Sequence, residues 1–262
     1  MNTRKLNMQV GIIGAGNMGS MLAEYFAWLG CQVSITNSRG PATLAAYAFQ
    51  KKGITAVTLE EVIREKQIII IALPVKAVVK LPLHFLSGVE KNVMVIDTCN
   101  YFPTVRDPLI PDIENGLTES EWVSQQLGHP VIKAFNCMTA LSFATRGLPE
   151  NTTGRLCMPV AGDDNAHKDR LSEIINAFGF DTIDAGPLSN SWKLQPGAPA
   201  YCADTGKETI TNLLQQSDYS MIKEYRHKMM QGAAAAIQQF GSLEAAVAQT
   251  GRPEKLTYLK TT

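Results

Sequence analysis

Val10-Gly11-Ile12-Ile13-Gly14-Ala15-Gly16-Asn17-Met18-Gly19 decides how the rest of this chain is read. A short apolar run enters glycines spaced G-x-G-x-x-G, and apolar residues at helical spacing follow to position 29. Between a strand and a helix, such glycines predict a phosphate cradle. Gly14 is expected to make the tight turn, Gly16 to admit a pyrophosphate, and Gly19 to let helix and strand pack closely. The helix then offers its N-terminal N–H groups and positive dipole end to the phosphates. The whole loop, Gly14, Ala15, Gly16, Asn17, Met18 and Gly19, is the expected dinucleotide contact.

The next strand, residues 32–36, ends in Asn37-Ser38-Arg39-Gly40. At this position, roughly twenty residues beyond the glycines, an Asp or Glu would bind a ribose 2′-hydroxyl. No carboxylate stands there. Asn37 and Ser38 offer hydrogen bonds, and Arg39 a charge-assisted contact, to a 2′-phosphate that a carboxylate would repel. NADP(H) is therefore predicted over NAD(H). Leu73 and Pro74, closing the run 68–73, are expected to form an apolar wall of the same crevice.

Further strand-like runs lie at 93–97, 131–135, 156–161 and 180–184. Solid, β-branched-rich runs suit parallel strands covered on both faces. Helical patterns separate them at 17–29, 41–52, 59–65, 75–81, 119–127 and 166–178; Thr58-Leu59-Glu60-Glu61 reads as a capping box. The expectation is an α/β fold of Rossmann type, a doubly wound, mostly parallel sheet of about eight strands. Residues 1–188 form the NADP(H)-binding domain. Residues 189–262 add a stiff segment around Pro196 and Pro199, then a helical extension over 206–250, for cleft closure or a dimer contact.

Of 262 residues, 45% are hydrophobic and 18% charged, as in an ordinary globular protein. Lys plus Arg number 24 and so do Asp plus Glu, so no global field points to nucleic acid or a membrane. Five cysteines without a C-x-x-C pair disfavour zinc or a disulfide framework. The four histidines are too scattered for a metal site. The polar start and the shortness of the apolar run 68–73 predict a cytoplasmic chain without a membrane span. A small-molecule substrate and a homodimer are the expected partners.

Three later motifs, Val131-Ile132-Lys133-Ala134-Phe135-Asn136, Val160-Ala161-Gly162-Asp163-Asp164, and Gly179-Phe180 with Asp184-Ala185-Gly186-Pro187-Leu188, follow in order. Together with the glycine loop they resemble the NADP oxidoreductases that use the deazaflavin coenzyme F420. They are also similar to the cytosolic reductase domain of six-transmembrane metalloreductases. The resemblance covers roughly residues 9–190. It implies NADPH binding through Asn17, Met18, Ser38 and Arg39, with the nicotinamide near Asn136 in a cleft closed by residues after Pro187. The region 98–122 and the tail from Gly197 depart from the compact deazaflavin enzymes.

Hydride transfer to a flavin-like acceptor needs chiefly positioning. A carbonyl acceptor would need a proton donor, for which Lys133, His84, His129 and Tyr101 are candidates. Alternation along the strand sets Lys133 and Phe135 opposite Ala134 and Asn136. Asn136, at the strand's carboxyl end, is the better placed to bond a carboxamide, so Asn136 and Lys133 are the expected catalytic pair. Lys133 paired with a carboxylate, Asp97 capping the next turn, and Cys99 as an inert thiol are the plainer alternatives. Trp192 and Tyr201 are candidates to line the substrate pocket. The expected function is an NADPH-dependent oxidoreductase passing a hydride to a flavin, deazaflavin or small carbonyl. The alternative is a non-catalytic NADP(H)-binding redox sensor.

Overall fold

A computed structural model describes residues 5–241 and Ala245. The chain runs β1 (Gln9–Ile13), α1 (Asn17–Trp28), β2 (Gln32–Thr36), a 3-10 turn (Pro41–Leu44) into α2 (Ala45–Gln50), then β3 (Ile54–Ala56) and β4 (Ile68–Ile71). It continues with α3 (Val75–Val78), β5 (Met94–Asp97), α4 (Pro111–Glu114), α5 (Glu119–Leu127), β6 (Ile132–Lys133) and α6 (Ala140–Thr145). β7 (Cys157–Val160), α7 (Asn165–Ala177) and β8 (Asp181–Asp184) follow. Last come a 3-10 segment (Leu188–Leu194), α8 (Lys207–Gln215) and α9 (Tyr219–Phe240).

Six strands form one parallel sheet in the order β3-β2-β1-β4-β5-β6. The chain winds outward from β1 to β3, then crosses back to lay β4 against the other side of β1. Loops leaving β1 and β4 part in opposite directions, which opens a crevice at the strands' carboxyl ends. The Rossmann-type fold is thus present. Its eight strands divide, however, into this sheet and a separate parallel pair, β7-β8. The two are joined by an antiparallel bridge, in which Lys133 and Ala161 exchange N–H···O bonds of 2.8 and 3.1 Å.

Alternation along β4 builds both core faces. Ile68 and Ile70 join Val10, Ile12, Leu22, Phe26, Leu171 and Phe178 under α1 and α7. Ile69 and Ile71 join Val62, Val75, Val95, Trp122 and Leu127 on the other face. All four isoleucines are fully buried, each contributing roughly 1.5–3 kcal/mol.

The run 131–135 does not continue as a strand. Phe135 adopts φ 63°, and its ring enters the same core cluster as Ile132 and Ala134, against Phe143 and Phe178. Strand alternation therefore fails for Phe135, while Val131 and Lys133 face away from the cluster that holds Ile132 and Ala134. The helix expected over 59–65 is also missing. The capping bonds form, Thr58 N–H to Glu61 Oε2 (2.9 Å) and Glu61 N–H to Thr58 Oγ1 (3.3 Å), but turns follow. Glu65 takes φ 56°, and only residues 66 and 67 then remain before β4.

The chain after β8 packs onto the carboxyl-end side of the sheet. Ile210 and Leu214 of α8 join Cys157, Ala161 and Leu194. Ile222, Met229 and Met230 of α9 cover Phe102, Tyr201 and Cys202. The helical expectation for 242–250 falls, apart from Ala245, outside the described residues. Among the described residues no helix is long and apolar enough to cross a membrane.

Candidate functional site

The glycine turn has the shape a phosphate requires. Gly14 sits at φ 114°, with its N–H bonded to the Thr36 carbonyl at 2.9 Å. A Cβ there would strike the Ala72 carbonyl, and one on Gly19 would strike the Gly14 carbonyl. Around a Cβ on Gly16, by contrast, nothing lies within 4 Å, so the space above the turn is open. Gly16 is also the N-cap of α1 and brings no side-chain bond to the helix end. Clashing side chains are excluded on two sides, while the N-terminus is left bare on the third. These residues fit a pyrophosphate. Leu73 packs within van der Waals reach of the Gly14 turn, and Pro74 directly precedes α3.

At the end of β2, the Asn37 carboxamide Oδ1 accepts from the Arg39 N–H at 2.9 Å, folding the turn on itself. Its Nδ2 donates to Thr43 Oγ1 at 3.0 Å. Asn37 therefore shapes the turn. Ser38 and Arg39 are exposed, and no ion pair or side-chain hydrogen bond among the described residues engages the Arg39 guanidinium.

At the far end of the crevice the side chains are locked together. Lys133, fully buried on β6, donates from Nζ to Asp97 Oδ2 at 3.1 Å and to the Cys99 carbonyl. Asp97 accepts further from the Ser120 hydroxyl (2.7 Å) and the Cys99 N–H (2.8 Å). Burial works against the Lys133 charge, yet Asp97, Glu119 and Cys99 outweigh it and raise its pKa. Burial, followed by Asp97, pushes the Cys99 thiol well up, so it is held as the unreactive thiol. The Lys133 ammonium is thus committed to Asp97 and the Cys99 carbonyl, and Asp97 does cap the turn.

Asn136 is also buried. Its Nδ2 donates to Asn100 Oδ1 at 3.1 Å and to the Leu194 carbonyl at 2.6 Å. The later motifs that suggested the family interlock with one another. Lys168 holds both carboxylate oxygens of Asp184 at 2.8 and 3.0 Å. Asp163 Oδ1 accepts the Leu188 N–H at 2.9 Å and Gly162 N–H bonds the Gly186 carbonyl at 3.0 Å. These bonds aim the 188–201 strap over the ends of β5 and β6. Trp192 lies in that strap edge-on to Tyr219, with ring centroids 5.2 Å apart, while Tyr201 is buried beneath α9.

The other proton-donor candidates are dispersed. The Tyr101 hydroxyl accepts from the Ile110 N–H at 2.9 Å, inside the core. The His129 ring faces the Pro130 and Glu90 carbonyls (2.8 and 3.2 Å) before the start of β6, and His84 packs against Gly128. One group was missed in the sequence, Glu119. It is 1% exposed, with Oε2 accepting from the Tyr101 N–H at 3.1 Å and Oε1 without a hydrogen-bond partner among the described residues. Burial, opposed by Lys133 and Arg226, raises its pKa from 4.5 to about 7. The available signal was its position three and four residues before Trp122 and Val123, on the buried face of α5.

Residues 9–101 match the model of the family described as NADP oxidoreductase, coenzyme F420-dependent. The chain is 42% identical over 63 residues to the protein YjhV of Escherichia coli (strain K12). That match spans 24% of this chain and less than half, 46%, of the relative. Among solved structures, a hypothetical protein from Sinorhizobium meliloti is 28% identical, with TM-score 0.63, over 77% of this chain and 96% of that one. A candidate F420-dependent NADP-reductase from Arthrobacter sp. FB24 is 18% identical, with TM-score 0.58, over 70% and 87%. At 14% identity and TM-score 0.52, a 3-hydroxyisobutyrate dehydrogenase from Mycobacterium tuberculosis shares the fold, over 94% of this chain and 67% of its own. The likeness read from the motifs is thus supported over the amino-terminal region, where residues 9–101 are similar to the coenzyme F420-dependent NADP oxidoreductases.

Proposed function

We propose that the protein is an NADPH-dependent oxidoreductase that passes a hydride to a flat flavin-like or small carbonyl acceptor. The observation that carries this reading is the pairing of an open phosphate turn at Gly16 with a carboxylate-free β2 end, where the Arg39 guanidinium is unengaged among the described residues. Gly14, Ala15, Gly16, Asn17, Met18 and Gly19 would hold the pyrophosphate, Ser38 and Arg39 the 2′-phosphate, and Leu73 with Pro74 the adjoining wall. NADPH, when bound, supplies the hydride.

The chain's own groups hold the acceptor end in place. Asn136 Oδ1 is met only by the Cys137 thiol at 3.7 Å among the described residues, which leaves an acceptor for a carboxamide N–H. Lys133 acts as a positioning residue, since its ammonium fixes Asp97 and the Cys99 carbonyl. The 188–201 strap and α9 exclude water from this end, the closure role proposed for the carboxyl-terminal extension.

The internal commitment of Lys133 and Asp97 favours a second reading, an NADP(H)-binding redox sensor without turnover. Titration by nicotinamide fluorescence tests the cofactor assignment: tighter NADPH than NADH binding is expected, and equal affinities refute it. Oxidation of NADPH with a panel of flavins, deazaflavin, ferric chelates and carbonyls separates the two readings, because turnover excludes the sensor.

A further inference from the structure

Two neighbouring pairs of residues, Asn100-Tyr101 and Leu194-Gln195, are each gripped twice. Asn136 takes the first of each pair, through Asn100 Oδ1 (3.1 Å) and the Leu194 carbonyl (2.6 Å). Glu119 takes the second of each, accepting the Tyr101 N–H (3.1 Å) and donating its own N–H to Gln195 Oε1 (3.5 Å). Ser191 Oγ donates to Thr118 Oγ1 at 3.0 Å, tying the strap to α5 one residue before Glu119. We propose that Glu119 is the second jaw of this clamp, a positioning residue that holds the strap shut as the neutral acid and lets it open on losing its proton.

The charges around it decide the sign. Lys133 on β6 and Arg226 on α9 face Glu119 as cations, and Asp97 on β5 faces it as an anion. The Lys133 ammonium is engaged by Asp97 at 3.1 Å, and Arg226 by Glu114 on α4 at 2.7 Å. Cys99 beside them stays a thiol. Among the described residues the Asp97 carboxylate has three donors, while that of Glu119 has one, and its Oε1 has none. The carboxyl that is worst solvated by the protein is the one that keeps its proton. Ionised, Oε1 would be a charge without a donor in a dry interior, and opening the strap to water is the relief available. Burial, outweighing both cations, lifts its pKa to about 7, which puts the change in the neutral range.

The inference rests on the proposed cofactor reading only in naming what the strap covers, so the test is made on the free protein. Hydrogen exchange of peptides over 188–201, corrected for intrinsic rates and referenced to β4, is compared at pH 5.5 and 8.5. If opening returns Glu119 to its ordinary pKa, strap opening rises on the order of thirtyfold across that interval. In Glu119→Gln the rise is expected to vanish. A strap whose exchange is pH-flat in the unmodified protein, or rises equally in Glu119→Gln, overturns the proposal. Should Glu119→Gln fail to fold, Gln195→Ala serves: it should raise strap exchange already at pH 5.5, and unchanged protection would overturn the clamp. NADPH titration of the same samples reports separately, since absence of binding at both pH values refutes the cofactor reading while the exchange ratio still decides the clamp.

Discussion

Replacing Lys133 by methionine should be among the most damaging single changes this fold can suffer. The substitution keeps most of the side-chain volume, so it opens little cavity. What it removes is the cation 3.1 Å from Asp97, in a pair whose side chains are both 0% exposed. Asp97 keeps the Ser120 hydroxyl and the Cys99 N–H, but it becomes a buried charge with no counter-ion among the described residues. Breaking a buried pair on one side costs about 3–5 kcal/mol. In a chain of this size, roughly 2–4 °C is lost per kcal/mol, so a fall in Tm of about 6–20 °C is expected. Urea denaturation at pH 7.5 gives the free energy directly. The double variant Lys133→Met with Asp97→Asn removes the stranded charge and should recover more than half of the loss, a coupling that a double-mutant cycle isolates. A single-variant cost below about 1 kcal/mol, or no recovery in the double variant, would refute the ion-pair account.

Arg39→Ala should weaken NADPH binding by about 10–100-fold, the worth of a charge-assisted contact, and leave NADH nearly unchanged in fluorescence titration. Gly19→Ala, which in an open helix would stabilise by roughly 1 kcal/mol, should instead lower Tm and dinucleotide affinity, because the new methyl meets the Gly14 carbonyl. Asn136→Ala leaves the Leu194 carbonyl only the weaker Cys137 thiol donor at 3.1 Å among the described residues and should cost about 1–3 kcal/mol in denaturation, together with faster exchange in the strap. Glu119 sets a pH dependence of stability whose sign follows from its raised pKa. Stability is fully present below pH 4.5, declines as pH rises to about 7, and is lower by at most on the order of 3 kcal/mol above that. Glu119→Gln should flatten that slope in denaturation curves taken from pH 4.5 to 8.

The sheet was legible because its signals are local. The β1 turn, the Ile68–Ile71 run and the breaks at Gly53 and Pro74 state strand, helix and order within a few residues of one another. The strand at 54–56 carries little sequence signal, being three residues long with only Ile54 buried. Phe135 departs from the strand pattern for a different reason. Its positive φ is held by a ring packed against Phe143 and Phe178, eight and forty-three residues away, and no window of sequence contains that contact. The site divides in the same way. Gly14, Gly16, Gly19 and Arg39 announce themselves by spacing. The Lys133–Asp97 pair spans 36 residues, the Asn136–Leu194 bond 58 and the Glu119–Gln195 contact 76, so they exist only once the strands and strap are assembled.

The bridge between Lys133 and Ala161 also governs how this protein can meet other chains. A parallel sheet normally leaves a row of unpaired N–H and C=O groups along each rim, a template for unwanted strand addition. Here one rim is β3, three residues long. The other is β6, two residues long, and its last backbone groups are already spent on Ala161. Among the described residues, both rims of the six-stranded sheet are thus too short or too engaged to offer a long template for strand addition.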